Sequence, residues 1–102
     1  MKYQLVLQWS ASSIKDYDKM IEIEEMLIEK LDSDSEVDGH DAGSGEVNIF
    51  IRTKDPKRTF NHVKTILGSN DSWSDIRVAY REISKNEYTI LWPVHLTKFI
   101  VT

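Results

Sequence analysis

Cysteine is absent from this chain, and with it go disulfides, thiolate zinc sites and a cysteine nucleophile. That absence suits a reducing cytoplasm. Two prolines and four glycines are too few for a linker-rich or low-complexity polypeptide. Long apolar runs are missing as well. Nothing approaches the roughly 18 apolar residues that a membrane span needs, and the N-terminus turns polar by Gln8, too early for the apolar core of a secretory signal. The expectation is a soluble, cytoplasmic protein with no membrane partner.

What is present is a globular balance, 40% hydrophobic and 29% charged residues over a length of 102. Splitting that length would starve both halves of core, so one domain spanning 1–102 is expected. The net charge of −4 hides a strong polarity. Residues 1–51 hold 12 Asp/Glu against 4 Lys/Arg, giving −8, and residues 52–102 hold 5 against 9, giving +4. The acidic half counts against nucleic acid as the partner and favours a basic protein.

Tyr3, Leu5, Leu7 and Trp9 alternate with Gln4, Val6 and Gln8, the period of a strand. Ser13 and Asp16 resemble a helix-capping pair. Tyr17, Met20, Ile21, Leu27, Ile28 and Leu31 then recur at helical spacing, with Glu22, Glu25, Glu29 and Lys30 on the other side. From Asp32 to Gly45 the composition is that of a loop, with room for a short edge strand near 36–40 and a fold-back through Gly43-Ser44-Gly45. Residues 46–53 are apolar on much of both faces, which suits the interior of a sheet. Asp55-Pro56 opens a second helix with Phe60, Val63, Ile66 and Leu67 as its buried stripe, ending at Gly68. Residues 76–81 and 88–92 read as a hairpin stopped by Pro93, and Phe99–Val101 as a terminal strand or a loosely packed end. The sum is an α+β, ferredoxin-like βαββαβ sandwich with an extra C-terminal strand and two helices on one face of an antiparallel sheet.

Catalytic equipment is not evident. Asp34-x-Glu36-x-Asp38-Gly39 imitates the opening of a calcium loop, but the twelfth position, which should be the bidentate Glu, is Gly45. His40, His62 and His95 lack the i, i+4 spacing of a helical zinc site. No metal or other cofactor is expected. His40 beside Asp41 offers an acid–base pair, yet adjacent residues of a strand point to opposite faces. Gly43-Ser44-Gly45 lacks the context of a nucleophile elbow. Arg52, Lys54, Lys57, Arg58, Arg77 and Arg81, with Trp73, Tyr80, Tyr88 and Trp92, sketch an RNA-binding sheet without the aromatic-glycine signature of that module. Core packing is the simpler reading of those aromatics.

The stretch Glu36-Val-Asp-Gly-His-Asp-Ala-Gly-Ser-Gly-Glu-Val-Asn-Ile-Phe-Ile51, with Asp55-Pro56 and Val78-Ala-Tyr-Arg81, resembles small uncharacterised bacterial proteins, a likeness that names no activity. In size, acidity and lack of catalytic motifs the chain is also similar to immunity proteins that neutralise toxins, including those of contact-dependent inhibition systems. That likeness implies a non-catalytic protein-binding module covering a basic toxin such as a nuclease. Glu22, Glu25, Glu29, Asp32, Asp34, Glu36, Asp38, His40 and Asp41 are its expected partner-binding residues, with Asp34, Glu36, Asp38 and Asp41 standing in for phosphates. The competing reading is a small-molecule-binding or enzymatic ferredoxin-like domain that uses the open sheet face, with His40 and Asp41 at its edge. Ferredoxin-like domains also pair through their sheets, which leaves a homodimer open.

Overall fold

The computed structural model describes residues 1–10, 17–43, 45–69 and 71–101. Five strands and two α-helices follow in the order β1 (Tyr3–Ser10), α1 (Tyr17–Lys30), β2 (Ser35–Gly43), β3 (Glu46–Thr53), α2 (Pro56–Leu67), β4 (Arg77–Glu82) and β5 (Thr89–Trp92), with a short 3-10 helix over Asp71–Asp75. The fold is α+β, and the strands form one antiparallel sheet in the order β2-β3-β1-β4-β5. The sheet has β2 at one edge and β5 at the other. The Ser13–Asp16 cap and Ser44 lie outside the described residues.

β1 occupies the middle because it is apolar enough to be covered on both sides. Leu5, Val6, Leu7, Gln8 and Trp9 are all buried. Its odd positions pair with Ile51, Ile49 and Val47 of β3, and Leu5 and Leu7 with Tyr80 and Val78 of β4. Those residues therefore share one face of the sheet. Met20, Ile23 and Leu27 of α1 and Val63 and Leu67 of α2 join them in a single core cluster, which places both helices on that face. α2 begins as the sequence suggests: the Asp55 carboxylate accepts from the Arg58 amide at 3.2 Å and Pro56 fills the first turn. Gly68 ends it without a left-handed turn, at φ −62. Glycine is required there because a Cβ would run into the Lys64 carbonyl oxygen.

Three expectations change. The first is the phase of α1. Ile23 is fully buried whereas Ile28 is 61% exposed, so the stripe runs through 20, 23 and 27. The second is β2, which extends over Ser35–Gly43 rather than 36–40. Pairing with β3 overrides the loop-like composition, and a bulge between Val37 and Gly39 absorbs the irregularity, with Gly39 at φ 136. The third concerns the C-terminal segment, where of the two alternatives, a terminal strand or a loosely packed end, Phe99–Val101 does not take the strand. It packs on the sheet face opposite the helices: the Gln8 amide donates to the Ile100 carbonyl at 2.8 Å, and the Phe99 ring sits 5.2 Å from that of Tyr88.

Candidate functional site

The residues expected to meet a partner lie along α1, the α1–β2 turn and β2. The outer side of α1 carries Glu22, Glu25 and Glu29, all exposed. Asp32 and Asp34 sit in the turn and are joined to the basic half of the chain. Arg58 reaches Asp34 Oδ2 at 2.5 Å and Asp32 Oδ2 at 3.2 Å, and Lys54 Nζ lies 4.0 Å from Asp34 Oδ1. The hydrogen bond to Asp34, then the attraction of Asp32, raises the pKa of Arg58 above its ordinary value. Asp38, at the bulge, is bridged to Arg52 Nε at 3.2 Å.

β2 register divides the rest. His40 pairs with Ile49, on the helix face, and Asp41 pairs with Asn48, on the other. The imidazole turns to α1, where Nδ1 lies 3.0 and 3.1 Å from the two carboxylate oxygens of Glu24. A carboxylate only accepts, so Nδ1 carries the proton and His40 staples β2 to α1. An acid–base pair of His40 with Asp41 therefore has the wrong geometry, its members being on opposite faces of the sheet. Glu24 gave no signal in the sequence beyond its place on an acidic helix; only the packing of α1 over β2 singles it out.

Five of the nine expected residues remain outside these internal pairs: among the described residues no ion pair involves Glu22, Glu25, Glu29, Glu36 or Asp41. The calcium-like spacing is drawn out along an extended strand, with Asp34 before it and Glu36 and Asp38 within it, instead of curling into a loop. Among the described residues no group of three or more His, Cys, Asp or Glu is placed to hold a metal ion.

Several of the basic and aromatic residues that sketch an RNA surface have partners within the fold. Arg81 Nε donates to Gln4 Oε1 at 3.1 Å, and its Nη1 donates to the carbonyls of Ile83 and Lys85 at 2.9 Å, clamping the β4–β5 turn. Trp73 and Trp92 pack on Phe60 with ring centroids 5.9 to 6.5 Å apart, with Lys64 Nζ 5.0 Å above Trp92. Tyr80 meets Tyr3 edge to face. These rings pack against one another. On the face opposite the helices a cleft of about 340 Å³ is lined by Glu46, Arg77, Lys98 and Ile100.

No protein-family model matches the chain, and no similar protein emerges among curated sequences or solved structures. Among the described residues, no helix is long and apolar enough to cross a membrane.

Proposed function

We propose that this chain is a non-catalytic protein-binding module, an immunity protein that neutralises a basic toxin such as a nuclease in the cytoplasm through an acidic surface on α1 and β2. One observation carries the reading. Glu22, Glu25, Glu29, Glu36 and Asp41 lie outside any ion pair among the described residues, while Asp32, Asp34 and Asp38 are held by Arg58, Lys54 and Arg52. Those pairs neutralise part of the local charge. The rest, Glu22, Glu25 and Glu29 on the outer side of α1 and Glu36 and Asp41 on the opposite face of the β2 edge, adds up to a negative field that would attract the Arg and Lys of a nucleic-acid-handling protein. The ferredoxin-like plan belongs to this proposal too. It is supported by the succession β1-α1-β2-β3-α2-β4, by antiparallel pairing throughout and by both helices lying on one face, with β5 additional.

The test is affinity capture with the tagged protein from its native cell at low and at high salt, followed by association kinetics with what is recovered. One basic protein in near-equal amount, released by salt, is expected. Exchanging all five carboxylates for Gln or Asn should then slow association by more than about tenfold, because electrostatic steering acts on the rate of encounter. Association at the parent rate in that variant would remove the acidic-surface reading.

A further inference from the structure

β2 ends the sheet. It pairs with β3 on one side, and among the described residues no strand lies on its other side. Nine residues of strand edge, about 30 Å long, present backbone donors and acceptors to a newcomer. Beside this edge runs a cleft of about 310 Å³, lined by Leu27, Ile28, Leu31, Ser35, Glu36 and Val37. Ile28 sits there with 61% of its surface open. The two faces of β2 differ sharply. Val37 and His40 share register with Ile51 and Ile49 on the helix side, while Glu36, Gly39 and Asp41 share it with Arg52, Phe50 and Asn48 on the other, and Asp38 fills the bulge.

We infer that β2 is a docking edge for an extended segment of a basic partner, which adds as a sixth strand. The inference rests on the proposed function and specifies its binding mode. Side chains of an added strand alternate between faces. On the helix side they meet Ile28, Leu31 and Val37, which calls for aliphatic residues. On the far side they meet Glu36 and Asp41, which calls for Lys or Arg. The partner segment is therefore an alternation of aliphatic and basic residues. A second copy of this chain is a poor occupant, because pairing β2 with β2 would bring Glu36 and Asp41 near the same carboxylates of the other copy.

The probe is a labelled nine-residue peptide of alternating valine and lysine, with blocked termini, followed by fluorescence anisotropy at low salt. Three controls share its composition: one in block order, one N-methylated at every internal valine, one N-methylated at every internal lysine. Alternate amides of a strand point to opposite sides, so one methylated peptide should lose binding and the other keep it. The parent should bind at least about tenfold more tightly than the block-order peptide, the scale of one net hydrogen bond. Amide hydrogen exchange should slow along β2, and Ile28→Lys should abolish binding while leaving the urea midpoint of the free protein in place. Equal binding by all four peptides would overturn strand addition and leave the acidic surface standing. Failure of the alternating peptide to bind would also overturn it. The proposed function falls separately, when native-cell capture yields no basic partner.

Discussion

Gln8 shows how a polar residue can sit in the middle of a sheet. It is 1% exposed, and its two amide hydrogens serve three acceptors: Glu46 Oε2 at 2.6 Å, Asn48 Oδ1 at 3.0 Å and the Ile100 carbonyl at 2.8 Å. Asn48 is equally buried, so its carbonyl has little water to turn to. Replacing Gln8 by Ala leaves that acceptor unsatisfied and cuts the tie to the C-terminal segment. The expected loss is about 1–3 kcal/mol in urea unfolding, with faster proteolytic cleavage within residues 93–101 of the native protein. An unchanged cleavage rate would mean that the segment is held by the Tyr88–Phe99 contact instead. None of this is visible in the sequence, where Gln8 reads as a polar residue at the end of an alternating strand. The difference is the return of residues some 90 positions later, a contact that no local pattern encodes.

At the scale of the element, α1 is instructive because apolar residues occur almost all around it. Ile21, Ile23, Met26, Leu27 and Ile28 leave the hydrophobic face ambiguous by spacing alone. Packing against β2 and α2 selects the stripe through Met20, Ile23 and Leu27, and Ile28 is left at the rim. Leu27→Ala should therefore cost about 2–5 kcal/mol, and Ile28→Ala no more than about 0.5 kcal/mol, both by urea unfolding. Comparable losses at the two positions would mean that α1 is rotated from the phase described. α2 was more legible than α1, because Asp55-Pro56 marks its start chemically and Val63 and Leu67 of the expected stripe are buried, although Phe60 and Ile66 are only partly so and Thr59, outside that stripe, is buried. β2 was the hardest element to read. Only Val37 is strongly apolar among its nine residues, and its extension depends on the neighbouring β3, whose own pattern is plain. The candidate site inherits both difficulties. Its acidic residues could be named from composition, but which of them are neutralised internally is set by where α2 brings Arg58 and where β3 brings Arg52.

On the scale of the whole molecule, folding lays the basic half of the sequence over part of the acidic half. Arg52, Lys54 and Arg58 each reach back to an Asp between positions 32 and 38. These pairs are substantially exposed, and pairs of that kind contribute little to stability and are screened by salt. The core, by contrast, is one cluster shared by the sheet and both helices, and the radius of gyration of 12.4 Å matches the roughly 13 Å of a compact chain this long. Stability and partner attraction should thus respond differently to salt. Between about 0.02 M and about 0.5 M NaCl, where the screening length shrinks several-fold, thermal unfolding should remain a single transition and shift by no more than about 4 °C, the effect of roughly 1 kcal/mol or less in a domain of this size. Over the same range, association with a basic partner should slow by an order of magnitude or more. Calorimetry and stopped-flow mixing in matched buffers make the comparison. If salt instead moved the unfolding temperature by tens of degrees, the exposed carboxylates would be acting chiefly within the fold. The acidic surface would then be a structural feature and no longer an argument for a partner.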